Sequence, residues 1–298
     1  AKLAAARVPA EVTDDLAFLS GLRQRIDLGP GRGPRALAFV GGEAYVANYF
    51  SDSLSVFDLA AARPRMEAIS LGPPRAPSVV RHGESLWNDA SICFEGWQSC
   101  ASCHSSDARV DGLNWDNLND GLGNPKNAKS LLFAHRTPPA MWTGVREDAP
   151  IAVRAGIKYI LFADRPAAEA VALDRYLDSL QPIPSPRLVR GKLSPAAERG
   201  RILFASKATG CTTCHAGPLL TNQKAYDVGT AGEFDSPDEE FDTPSLIEIW
   251  RTAPYLHDGS AATVLEVLTS ANAENKHGMT RHLRPAEILD LAEYLLSL

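Results

Sequence analysis

Apolar residues recur at three- and four-residue steps in two stretches of the chain, 169–180 and 287–298. The two share Glu, Leu, Tyr, Leu, Ser and Leu at equivalent places. That period lines apolar side chains along one face, so each stretch is predicted to be an amphipathic helix. Pro166 and Pro285 lie just upstream, where a first helical turn tolerates a missing N–H. A second matched pair precedes them, Gly83-Glu84-Ser85-Leu86-Trp87 and Gly200-Arg201-Ile202-Leu203-Phe204. The latter belongs to a helix started by Ser194 as N-cap and Pro195 at the first helical position. The N-terminal region has a different rhythm. Runs at 36–40 and 44–48 flank Gly41-Gly42, a hairpin signal, and a third strand is predicted at 53–58.

With 298 residues, the chain is long enough for about two domains. An apolar share of 45% supplies a core and excludes disorder as the main state. No apolar run reaches the about 20 residues of a membrane-spanning helix. A formal charge of −6 argues against a nucleic-acid partner. The 22 glycines and 21 prolines predict long irregular connections between modest helices.

Four of the five cysteines fall in two copies of one pattern, Cys100-Ala101-Ser102-Cys103-His104 and Cys211-Thr212-Thr213-Cys214-His215. C-x-x-C-H is the attachment signature of haem c. The two thiols reach the porphyrin vinyl groups and form thioethers, and the adjacent imidazole becomes the proximal iron ligand, here His104 and His215. A zinc cluster of the two C-x-x-C pairs is the alternative, but it gives no reason for a histidine after each pair. Two covalent haem c groups are therefore predicted. Residues 1–11 show no apolar signal-peptide run, but haem c is attached outside the cytoplasm, so a periplasmic or otherwise exported location follows. Cys93, the fifth cysteine, reads as a small buried hydrophobe.

Each matched unit thus reads helix, C-x-x-C-H, long loop, closing helix, the layout of a small cytochrome c domain. The predicted fold is mainly α: two cytochrome c-like haem domains in tandem, 75–181 and 186–298, after a short β segment, 1–74. A stiff extended linker at 181–186 joins the haem domains. Tyr45-Val46-Ala47-Asn48 with Ser55-Val56-Phe57-Asp58 resembles one blade of a YVTN-type β-propeller.

Three further stretches carry a wider resemblance: Arg136-Thr137-Pro138-Pro139 with Met141-Trp142, 242–246, and 251–259 with its Pro-Tyr-Leu-His-Asp-Gly run. On these, 75–298 resembles the bacterial di-haem cytochrome c peroxidase superfamily, which includes the maturation enzyme of methylamine dehydrogenase. The resemblance implies that the haem on His104 reacts with hydrogen peroxide. It implies that the haem on His215 takes electrons from a small donor, a cytochrome c or a cupredoxin. Trp142 sits where the family's tryptophan carries electrons between haems; the alternative is a plain core indole.

Departures from the family pattern set further expectations. Asp120 stands where the family has a distal His, and Phe162 where it has a catalytic Glu. His135 is then a candidate to cap the first iron, and Glu147 or Asp148 to serve as acid and base, against a reading as solvated charges. Ala271 stands where a Met or Tyr ligates the second iron; His277 is favoured instead, then Met279, then His282. His257 is expected to support the region between the domains. The family's calcium implies carbonyls of Thr252 and Pro254, but its Asn is Arg136 here, with Asn127 as a substitute. Arg136 could instead meet a haem propionate. Three functions follow: a peroxidase; a peroxide-dependent oxidase of side chains on a protein partner; and a non-enzymatic di-haem electron carrier.

Overall fold

The computed structural model describes residues 20, 25–61, 66–73, 75–116 and 123–298. The chain divides into two compact units at Arg75. In the first, strands β1 (Pro34–Val40), β2 (Glu43–Asn48), β3 (Ser53–Asp58) and β4 (Met66–Ser70) form an antiparallel meander in the order 1-2-3-4. Val40 faces Glu43 across Gly41 and Gly42, both at positive φ, as a two-residue hairpin turn of this hand requires. The hairpin and third strand lie where the sequence places them. β4 is an addition that short, weakly alternating residues did not signal. Asn48 is buried in the sheet and donates Nδ2 to the hydroxyls of Ser53 (3.2 Å) and Ser55 (2.8 Å).

The second unit contains two similarly built helix pairs. Helix α1 (Val79–Trp87) starts at Ser78, whose hydroxyl accepts from the Arg81 N–H. It is followed by α2 (Ala149–Tyr159) and α3 (Ala167–Asp178), and α1 packs on α3. Helix α4 (Pro195–Phe204) is capped by Ser194 as expected and packs on α6 (Pro285–Leu295), with the short α5 (Val264–Leu268) between them in sequence.

The crossing geometry explains the sequence repeat. A Cβ on Gly83 would come within 1.9 Å of the Ala172 carbonyl oxygen, and one on Gly200 within 1.9 Å of the Asp290 oxygen. Glycine is what lets each pair of backbones approach so closely. Beside these crossings the Trp87 and Tyr176 rings lie 5.9 Å apart, and the Phe204 and Tyr294 rings 5.3 Å apart. Each pair anchors its own core. One gathers Leu86, Trp87, Ile157, Leu161, Leu173 and Leu177; the other gathers Phe204, Leu246, Val264, Ile288, Leu291 and Leu295. Burying Leu173 and Leu291 fully contributes about 2 kcal/mol each.

The segment 181–186, read from its prolines as a stiff extended linker, is held by hydrogen bonds along its length. The Gln181 carbonyl accepts from Arg109 Nη2 (3.0 Å), the Ile183 N–H donates to Glu248, and the Ser185 hydroxyl donates to the Leu296 carbonyl (2.6 Å). Beneath it, Arg109 and Glu248 form a bidentate pair at 2.8 and 2.9 Å with side-chain exposures of 2% and 0%.

Candidate functional site

The first C-x-x-C-H begins as a helical turn, Cys100–Cys103, braced by the Ser102 hydroxyl accepting from the Ser99 N–H (3.0 Å). His104 follows at its end. Its Nδ1 lies 3.0 Å from the Lys129 carbonyl. A carbonyl only accepts, so Nδ1 carries the proton and Nε2 is left as the metal-binding nitrogen. Burial lowers the His104 pKa, which keeps the ring neutral, as a ligand must be. A cavity of about 240 Å³ opens before it, lined by Trp87, Met141, Trp142, Ala149, Val153 and Ile157 among others.

The second motif repeats these features. Cys211–Thr213 form a 3₁₀ turn after Gly210, and His215 Nδ1 lies 3.1 Å from the Leu220 carbonyl. Burial again lowers the imidazole pKa. Its cavity, about 230 Å³, is lined by Phe204, Tyr226, Leu246, Val264, Leu268 and His277 among others. Two apolar hollows of nearly equal size, each with a cysteine pair and a tautomer-fixed imidazole on its wall, fit haem c. Burial pushes Cys100 up to about 12 and Cys103 to about 11. Among the described residues no three His, Cys, Asp or Glu side chains converge on a metal position.

The hollows differ on the face opposite the histidine. In the second, the His277 ring centroid lies 6.3 Å from that of His215, with 34° between the planes. Two imidazoles that each hold one metal at about 2 Å have centroids about 6 Å apart, so this gap has the width of a single iron. His277 is half-buried, with its Nδ1 buried and without a hydrogen-bond partner among the described residues, and desolvation together with His215 lowers its pKa to about 4. Among the described residues that line the first hollow there is no second imidazole and no carboxylate.

Asn127, Ala128, Lys129 and Trp142 line both hollows and form the wall between them. The Trp142 indole N–H donates to the Asn127 carbonyl (2.7 Å), and the Trp142 carbonyl accepts from the Asp242 N–H (2.8 Å). Lys129 Nζ pairs with Asp242 Oδ2 at 2.5 Å and lies 5.2 Å from the centre of the indole ring. Burial pushes the Asp242 carboxyl pKa up, and the Lys129 ammonium opposes that shift.

Other expected site residues lie elsewhere. His135 does not line the first hollow; its Nε2 sits 3.0 Å from Asp174 Oδ1 on α3. Glu147 is exposed, and Asp148 is the N-cap of α2, accepting from the Ile151 N–H. Met279 is 57% exposed and His282 is exposed as well. Arg136 pairs with Asp178 near the surface. Phe162 is exposed, and Asp120 lies outside the described residues. Thr252 and Pro254 line the second hollow, and the Pro254 carbonyl accepts from Asn127 Nδ2 (2.6 Å). His257 is buried, stacked on Phe241 (3.8 Å), with Nε2 at 2.6 Å from Asp235 Oδ2. Asp235 also accepts from Lys126 and Asn124, both on the rim of the first hollow. Lys129 and Asp242 are the residues that motif reading missed, because their pairing spans the two halves of the unit.

Comparison with known proteins agrees with this geometry. Residues 241–276 match the family model described as RoxA-like, cytochrome c-like. The chain is 29% identical over 278 residues to hydrazine synthase subunit gamma of Kuenenia stuttgartiensis, covering 76% of this chain and 79% of that protein. It is 24% identical over 297 residues to the cytochrome-c peroxidase IdrP1 of Denitromonas iodatirespirans, covering 71% and 77%. A solved structure of Kuenenia stuttgartiensis hydrazine synthase superposes with a TM-score of 0.67 at 28% identity, over 76% of this chain and 89% of that one. The chain is thus an enzyme-like protein with a cytochrome c-like region, similar in sequence to di-haem cytochrome c peroxidases and to the methylamine utilization protein MauG.

Proposed function

We propose that the chain is an exported di-haem c oxidoreductase that reduces hydrogen peroxide with electrons from a small redox protein, a cytochrome c or a cupredoxin. In this reading residues 75–181 and 186–298 are tandem cytochrome c-like domains. Cys100, Cys103 and His104 hold one haem; Cys211, Cys214 and His215 hold the other, with His277 as its sixth ligand. The carrying observation is the asymmetry across the wall, an imidazole 6.3 Å from His215 and no second imidazole among the described residues that line the hollow at His104. Bound haem c supplies one-electron iron chemistry and, on the first side, a vacant coordination position. The chain contributes a fixed proximal tautomer at His104, an apolar lining that limits water, and Trp142 as a bridge between the sites. The calcium that the family implies plays no part in this reading, since the Pro254 carbonyl is already engaged by Asn127. The strands of residues 1–74 are read as one propeller blade.

A second reading draws support from the same lining. Splitting a peroxide bond calls for a group that moves a proton between its oxygens, and among the described residues no carboxylate or second imidazole lines the first hollow. A small neutral molecule handled within a larger assembly fits such a surface, as the name of the gamma subunit of hydrazine synthase suggests. Spectra of the ferric and half-reduced holoprotein test the common core of both readings, with one high-spin open iron and one low-spin saturated iron expected. Two low-spin irons in both states would remove both. Steady turnover of peroxide with reduced cytochrome c is then expected for the first reading, and an open iron without turnover leaves the second.

A further inference from the structure

Lys129 occupies an unusual position for a charged side chain. Its carbonyl holds the proximal imidazole of the first hollow, and its side chain lies in the wall between the hollows, 22% exposed. Its ammonium lies 5.2 Å from the centre of the Trp142 ring and 2.5 Å from Asp242, which is 3% exposed and whose N–H holds the Trp142 backbone. A cation over an indole is attracted to the neutral ring. It is repelled once the ring has lost an electron, because two positive charges then face each other in a medium that screens them poorly. The Asp242 carboxylate offsets part of that repulsion.

We propose that the Lys129–Asp242 pair sets how readily Trp142 gives up an electron, and so governs passage of charge between the two hollows. Lys129 is a positioning residue that acts through Trp142. The inference rests on the reading of Trp142 as the bridge. With hydrogen peroxide as oxidant, Trp142 loses one electron toward the His104 side, becomes an indole radical cation, and regains one electron from the His215 side. The indole ends unchanged; two such passages, with two protons from solvent, reduce one peroxide to two waters, and both electrons come from the donor protein.

Flash oxidation of the ferric holoprotein by photogenerated tris(bipyridine)ruthenium(III), followed by transient absorption of the tryptophan radical, reads this property without peroxide. The chain has five tryptophans, so a Trp142→Phe variant supplies the background. Lys129→Met is expected to raise the Trp142-dependent radical yield on the order of tenfold. Lys129→Arg keeps the charge and is expected to stay near the parent value, whereas Asp242→Asn leaves the cation unopposed and is expected to lower the yield. A structural role alone would move the Met and Asn variants in the same direction. That result, or an unchanged yield in Lys129→Met with intact haem spectra, overturns the proposal. If the opposed shifts appear but the parent protein does not reduce peroxide, the peroxidase reading falls and the role of Lys129 stands.

Discussion

The two cysteine-bearing halves share a scaffold and differ at one face. Both close on a helix pair that crosses at a glycine, and both fix a histidine tautomer with a backbone carbonyl. His277 stands 6.3 Å from His215, whereas the described residues that line the hollow at His104 include no second imidazole. In the proposed reading the shared features cradle a porphyrin, and the divergent one decides whether an outside molecule reaches the iron.

The largest expected effect comes from erasing that difference. His277→Ala should convert the second site from saturated to open, with complete loss of its low-spin signature, recovery on adding imidazole, and no change at the first site. An unchanged spectrum would remove His277 from the iron. Next, Gly83→Ala and Gly200→Ala probe the shared scaffold, since each methyl would meet a backbone oxygen that cannot turn aside. Each should cost about 3 kcal/mol in denaturant unfolding of the holoprotein. A large cost at one crossing and none at the other would break the structural equivalence of the halves.

The smallest effect concerns Asp235, by which the second half reaches the rim of the first hollow. Burial alone would raise its carboxyl pKa, but Lys126, the Gly232 N–H, Asn124 and His257 together hold it well below the usual carboxylate range. The folded state therefore binds this proton less readily than the unfolded chain. The stabilisation is present above the ordinary carboxylate range and is lost as pH falls through that range toward the depressed folded value. Asp235→Asn should cost about 1–2 kcal/mol at neutral pH and flatten the acid limb of the stability profile. An acid limb unaltered by the substitution would remove Asp235 as its source.

Much of the scaffold was legible because its signals are local. A cysteine pair with its histidine spans five positions, and a helix shows its apolar face within three turns. The recurrence of Gly83 and Gly200, and of Tyr176 and Tyr294, marked the helix crossings before their geometry was known. The wall between the hollows was not legible. Lys129 meets Asp242, Arg109 meets Glu248 and Asn127 meets Pro254 across the fold, and no local period connects them. The surroundings of His135 were not legible for a related reason: it lies in the turn Ala134–Arg136, and its ring meets Asp174 on α3.

The buried Arg109–Glu248 clasp has a mechanical consequence. Its guanidinium also donates to the carbonyls of Asp107 and Gln181, so breaking the pair would strand a charge on each side. The clasp therefore opposes hinging between the two halves. Under the proposed function, the span an electron must tunnel should stay constant through turnover, leaving adjustment to side chains along the route.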